Sequence, residues 1–377
     1  MRAYVLPDAR LAKLAGRFAW LDIDTEKPRN AAFLEKYPVE VWPTLLVVDP
    51  ASERVVLRWA GTATAAQVEK LLLDGERALR ARRASAAEEA LARADRLSGE
   101  RRHAEAAAAY AEAIRKGGRS FASAERAAES RVQSLALAGE PEACAKAAAR
   151  ALPAMAPGPA AARAAAQGLS CALEIEPEAA RRAALAALEP RARRELGATG
   201  ALADDRSWLH DVLSQTRSAL GDEAGAREDA ERWLAFLEAQ AGRAPTPAAR
   251  SAFDGPRVSA AVRLGDPGRA LPAVLASQQD LPGDFVPPSH LAVLYLELDR
   301  PAEALEAARR ALSLAEGPRR VRVRVLEAQA LVALSRPGDA RAALETAIRE
   351  GEALPEAARP AGWLRRAGEM LAELPAS

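Results

Sequence analysis

The chain has 377 residues, 53 basic and 52 acidic, for a formal net charge of +1. That balance offers no footprint for nucleic acid, no polybasic arm for a membrane surface and no acidic tail. No run of about twenty apolar residues is present to span a bilayer. The basic residues are 47 Arg and 6 Lys in an Ala-rich background, and only 4% of residues are aromatic. Packing must therefore rest on Ala, Leu and Val in closely approaching helices. His103, His210 and His290 lack the short spacings of metal ligands, and no metal or cofactor is expected. Cys144 and Cys171 are expected to be small buried packing residues that do not pair.

The first eighty residues alternate between strand and helix patterns. Phe18–Asp24 reads as a short buried strand and Glu26–Tyr37 as a helix with Pro28 in its first turn. Thr44–Asp49 reads as an apolar strand, Pro50–Glu53 as a turn and Val55–Trp59 as the return strand of a hairpin. From Thr64 onward, Val68, Leu71, Leu72 and Gly75 fall at helical spacing.

Three stretches carry a resemblance to the thioredoxin family: Leu21-Asp22-Ile23-Asp24, Tyr37-Pro38-Val39-Glu40-Val41-Trp42-Pro43-Thr44, and Trp59-Ala60-Gly61 followed by Gln67–Leu71. The earlier Tyr4–Leu11 looks like the segment after the active-site helix in thioredoxin-like domains of the DsbD type. The resemblance implies an incomplete α/β thioredoxin-like domain over residues 1–80. Pro43 would be the family's cis-proline. Val41, Trp42, Pro43 and Thr44 would form a substrate- or peptide-binding loop, and Trp42 could equally be structural, covering the core. The family's Cys-x-x-Cys and the inner strand that feeds it are absent from the sequence, so no catalytic residue is assigned. Either the true start lies upstream of Met1 or the domain is a degenerate remnant.

From about residue 84 the strand signal ends, and helical segments are broken by Gly, Asp and Pro. Turns recur at Arg101-Arg102-His103, Gly139-Glu140-Pro141, Glu176-Pro177, Gly221-Asp222-Glu223, Gly265-Asp266-Pro267, Asp299-Arg300-Pro301 and Ser335-Arg336-Pro337. The last three prolines are 34 and 36 residues apart, and the earlier intervals run from 36 to 46. Three residues after each anchor come Ala106, Cys144, Ala180, Ala226, Ala270, Ala304 and Ala340. Seven residues further lie Ala113, Ala151, Ala187, Ala311 and Ala347, with Trp233 and Ser277 as exceptions, and twelve before the first column lie Ala94, Gly168, Ser214, Ala292 and Ala328. Small residues in three such columns suit two packed antiparallel helices. The pattern resembles the tetratricopeptide repeat, which implies an all-α, TPR-like superhelical solenoid over residues 84–377. Residues 242–256 are a possible flexible point. Trp208, Trp233 and Trp363 are expected in core or capping positions, Trp363 on a final capping helix. Arg319–Arg324 reads as a solvated helix face over buried Val321 and Val325.

These parts suggest a protein-binding scaffold with a redox-inactive thioredoxin-like domain. Its repeats would recruit a protein or peptide client on a concave face. The alternative is a thiol–disulfide oxidoreductase whose Cys-x-x-Cys lies upstream of Met1. As written, the chain has no export signal and is expected in the cytoplasm, with the periplasm the alternative if a signal lies upstream. A purely structural scaffold without a client is the third reading, and no oligomeric state is implied.

Overall fold

A computed structural model describes residues 5–80 and 84–375; Tyr4, the start of one quoted segment, lies outside them. Contacts divide the chain into two units, Met1–Ala19 with Val39–Trp233, and Trp20–Pro38 with Leu234–Ser377. In the first unit a short helix α1 (Ala9–Ala12) precedes a hairpin of β1 (Thr44–Val48) and β2 (Val55–Ala60), while α2 (Ala31–Lys36) belongs to the second unit. The hairpin is antiparallel, pairing Thr44 with Ala60 and Val47 with Leu57, with an irregularity at Val47/Val48. Helix α3 (Ala65–Arg80) lays Val68 and Leu71 against Val47, Leu57 and Trp59, with Val5 and Leu11 completing this small core.

The expected strand at Phe18–Asp24 does not form. Phe18 makes a single isolated bridge to Ala15, and Trp20 and Leu21 are 49% and 78% exposed. Among the described residues the sheet has two strands, so the thioredoxin-like α/β arrangement is not reproduced. The reason is physical: a strand needs a neighbour's edge for its backbone groups, and the two described strands pair with each other in a two-stranded sheet.

Helical hairpins follow. In the first unit they are α4 (Ala86–Gly99) with α5 (His103–Gly117), α6 (Ala124–Leu137) with α7 (Pro141–Ala151), α8 (Pro159–Leu173) with α9 (Glu178–Glu195), and α10 (Ala203–Ala219) with α11 (Glu223–Gly242), whose last residues fall in the second unit. The second unit continues with α12 (Pro247–Ser251), α13 (Asp254–Arg263), α14 (Leu271–Asp280), α15 (Val286–Glu297), α16 (Pro301–Leu314), α17 (Pro318–Ala333), α18 (Pro337–Glu352) and α19 (Ala361–Glu373). First helices also touch across repeats: α6 packs on α8, α8 on α10, and α15 on α17. This is TPR-like stacking, in which each hairpin buries its apolar stripe against its neighbours.

One turn chemistry builds the hairpins. Arg101, Gly139, Gly221, Gly265, Asp299 and Ser335 all have φ between 54° and 86°. The next residue's N–H then reaches back to close the first helix, as in Arg102 to the Leu97 carbonyl, Glu140 to Leu135, Asp222 to Arg217, Asp266 to Ala261, Arg300 to Tyr295 and Arg336 to Leu331. These are Schellman closures, with a left-handed residue at C′. At Pro141, Pro301 and Pro337 the proline is the first helical residue of the next helix, where its missing N–H costs nothing.

The seventh turn differs. The Glu176–Pro177 bond is cis, no left-handed residue precedes it, and Pro177 is the N-cap of α9 rather than its first residue. The buried stripe slides by one residue to Leu185, Leu188 and Ala192, so Ala180 and Ala187 face solvent rather than forming the expected columns. In the other six copies the first column (Ala106, Cys144, Ala226, Ala270, Ala304, Ala340) is buried.

Cys144 and Cys171 form a disulfide with Cα atoms 6.1 Å apart, correcting the expectation of two unpaired packing residues. The close approach of α7 and α8 explains it. A Cβ on Gly168 would lie 2.5 Å from that of Ala148, and one turn further along the same seam the two sulfurs meet. At the C-terminal end, α19 covers α17 and α18 with Ala367 and Met370, the expected capping role. The arginines of 319–324 are not simply solvated. Arg320 and Arg324 pair with Glu350, Arg319 with Glu26, and Arg322 lies 5.7 Å from the Trp363 ring, above buried Val321, Val323 and Val325.

Two stability measurements test this description. Ser335→Gly removes a side chain from an exposed left-handed turn, and denaturant unfolding should show a gain of about 1 kcal/mol; a loss would contradict the turn assignment. Replacing both cysteines by Ala should cost about 3.5 kcal/mol, the loop-closure term for a link spanning 27 residues. Unchanged stability, or two titratable thiols in the unreduced protein, would contradict the disulfide.

Candidate functional site

The hairpin of the first unit lies on the first helices of the repeats. Its strand β2 packs on α4, the Gln133 amide of α6 donates to the Ala60 carbonyl (3.2 Å), and the Thr62 hydroxyl donates to Asp205 of α10 (2.5 Å). On the approach to the loop, Glu40 meets the His103 ring at the start of α5 (2.8 Å). The Trp42–Pro43 bond is cis. Beside it, the Thr44 hydroxyl donates to the Val41 carbonyl (2.6 Å) and the Gly61 N–H to the Pro43 carbonyl (2.8 Å), which extends the ladder by one bond.

Between this loop and the helices runs a groove of about 440 Å³. Val41 and Trp42 form one wall together with Gly61 and Thr62. Facing them are Glu129, Gln133 and Leu137 of α6, Arg163, Gln167 and Cys171 of α8, Glu174 just beyond α8, and Asp204, Asp205 and Trp208 of α10. Trp42 is 64% exposed. The structure thus brings Val41 and Trp42 to a cavity, while Pro43 and Thr44 shape the loop behind them. Sequence reasoning missed the opposing wall. Trp208 packs half-buried against the core, as expected, and also lines the groove. Trp233 is core as expected, with its indole N–H on Ser207 (2.8 Å).

The floor of the groove is ionic. The Arg163 guanidinium forks between Glu129 (2.5 and 3.2 Å) and Asp205 (3.0 Å) and lies 5.2 Å from the Trp59 ring. Burial pushes both carboxyls above their ordinary range, and Arg163 draws them back. Burial also opposes the Arg163 charge, but the two carboxylates outweigh it and hold the guanidinium protonated. Cys171 is 3% exposed in the wall, and its sulfur accepts a hydrogen bond from the Gln167 amide (3.7 Å). Both cysteines of the chain are in the disulfide.

A second concavity, between α4 and α5, is lined by Arg93, Glu100, Arg102 and Glu105. Its charges answer one another: Arg102 pairs with Glu100 and Glu105, and Arg93 with Glu112. Among the described residues no group of His, Cys, Asp and Glu could hold a metal ion, and no helix is long and apolar enough to cross a membrane.

No protein-family model matches the chain, and no curated protein matches it. Among solved structures it is similar to a tetratricopeptide repeat protein from Parabacteroides merdae, at 12% identity over 75% of this chain and 98% of that one, with a TM-score of 0.46. It is also similar to the TPR2AB domain of yeast Sti1 in its pHSP90 complex, at 15% identity over 76% and 97% of the two chains, with a TM-score of 0.30. A third is a Rap protein complexed with competence and sporulation factor, at 12% identity over 81% and 84%, with a TM-score of 0.40. None of these likenesses carries the fold description, which rests on the turn and packing geometry of this chain.

Proposed function

We propose that the chain is a protein-binding scaffold that receives an extended protein or peptide segment in the groove between the Trp42–Pro43 loop and helices α6, α8 and α10. The observation that carries this reading is the placement of Trp42. A large indole stands 64% exposed on the wall of a cavity of about 440 Å³, opposite the first helices of three successive repeats. Exposed aromatic side chains beside a concavity are common anchors of recognition, and a groove of this volume suits a few side chains of an extended segment. A scaffold rather than an enzyme is favoured because the two sulfurs of the chain are bonded to each other and buried. The disulfide also favours an oxidising compartment over the cytoplasm.

The second reading is a thiol–disulfide oxidoreductase. It draws on the cis bond before Pro43 and on a hairpin that resembles the thioredoxin family's substrate side, with the reactive cysteines supplied from outside this sequence. A Cys-x-x-Cys in the reading frame upstream of Met1 would favour the second reading, and insulin-disulfide reduction by a chain extended to include it separates the two: turnover favours the second, none favours the first.

Binding is tested by selecting peptides from a random displayed library on the purified protein and measuring their affinity for wild type and Trp42→Ala. The substitution removes an exposed side chain, so the fold should be kept. Selected peptides should lose about tenfold in affinity or more, the scale of 1.4 kcal/mol. Equal affinity for both proteins would contradict the groove reading.

A further inference from the structure

In the second unit, the arginines of α17 have two different surroundings. Arg320 and Arg324 lie one turn apart and both pair with Glu350 of α18. Arg322, two residues from each, is turned about 200° around the helix, away from α18. Helix α17 packs between α15 and α19. The Arg322 guanidinium lies 5.7 Å from the Trp363 ring of α19. On α15, His290 lies close against α13, where a Cβ on Gly255 would be 3.3 Å from the imidazole.

Among the described residues Arg322 makes no ion pair, and its Nε is buried without a hydrogen-bond partner. Burial pushes its pKa down, with no acidic neighbour to offset the effect. Burial and the Arg322 charge together push His290 down to about 4, so the imidazole is uncharged at neutral pH. The nearby carboxylates are taken: Glu350 by Arg320 and Arg324, Glu327 by Arg309 and Arg324. One turn before Arg322, Arg319 is answered by Glu26, from the Trp20–Pro38 stretch of the same unit.

A guanidinium taken partly out of water costs stability unless its charge and N–H groups are answered. Beside an aromatic ring, it suits a planar anion that its fork can take bidentately. Glu26 shows that a segment distant in sequence can deliver a carboxylate to this end of α17. We infer that Arg322, with His290 and Trp363 beside it, is a docking point for the side-chain carboxylate of an acidic segment of a protein partner. The Arg322 fork takes the carboxylate, an imidazole N–H of His290 adds a neutral donor, and Trp363 shields the pair from water. This site uses none of the residues that line the groove at Trp42, so either can fail without the other.

The test selects peptides from a random twelve-residue library on the full chain carrying Trp42→Ala, which removes the anchor of the groove. The expected outcome is enrichment of Asp or Glu. A fluorescein-labelled acidic peptide so selected should bind about tenfold more weakly when its carboxylate is replaced by the amide, and about tenfold more weakly when the protein also carries Arg322→Gln, with no further loss when the two changes are combined. Its binding should shift the imidazole NMR signal of His290 and leave those of His103 and His210 in place. The unbound Arg322→Gln protein should melt at or above the temperature of its parent, because it sheds an unanswered charge. A selection that enriches no peptide, or only neutral or basic ones, would overturn the assignment, as would acidic peptides that bind Arg322→Gln as well as the parent. A marked fall in the melting temperature of Arg322→Gln would also overturn it, by showing that the chain itself answers this charge.

Discussion

A guanidinium withdrawn from water persists only where its charge and its N–H groups are answered. Arg163 meets that constraint by drawing one carboxylate from the repeat before it and one from the repeat after it. Glu129 lies 34 residues earlier in the chain and Asp205 42 residues later. Asp205 also accepts from Thr62, and the guanidinium lies against Trp59, so the β-hairpin is held at the same point. Apolar side chains of similar volume would often stabilise such a site as well. The ionic arrangement adds direction, because a planar fork fits two carboxylates only when α6, α8 and α10 stand at one particular height relative to each other. Buried carboxylates are also answered across helices elsewhere. Asp95 of α4 takes Tyr110 and Arg126, and Asp229 of α11 takes Arg193 of α9.

The repeat organisation was legible because it is written in backbone chemistry. A residue able to adopt the left-handed region, a following N–H that closes the helix, and a proline or polar helix starter appear at six turns, and the small residues fall in register behind them. The exception was not legible for the same reason. Glu176-Pro177 looks like another copy, but there proline caps the helix instead of beginning it. A one-residue shift in helix start carries Ala180 and Ala187 to the solvent side and brings Leu185 and Leu188 inward. Residue type alone does not distinguish these two uses of proline.

In the first eighty residues local signals succeeded and non-local ones failed. The hairpin and the loop at Pro43 are short-range features, specified by apolar runs, a turn and one proline. The segment Phe18–Asp24 has strand composition, but a strand is completed by its neighbour, and here no strand forms and Trp20 and Leu21 stay exposed. The Cys144–Cys171 bond was missed because pairing depends on which faces of α7 and α8 meet. Gly168 against Ala148 fixes that seam, and neither residue advertises it in isolation. The groove is the extreme case. Val41 and Trp42 could be singled out by resemblance, whereas Glu174, Asp204 and Trp208 join them only after three repeats have stacked.

The groove thus depends on the same contact that sets the repeat heights. If Arg163 positions both, removing its charge should disturb helices and hairpin together. The most direct measurement is hydrogen exchange combined with denaturant unfolding on Arg163→Met. Leaving Glu129 and Asp205 buried without their cation should cost about 3–5 kcal/mol, and the amides of β1, β2, α8 and α10 should lose protection in step. Unchanged stability with undiminished protection of the hairpin would contradict the central role given to this side chain.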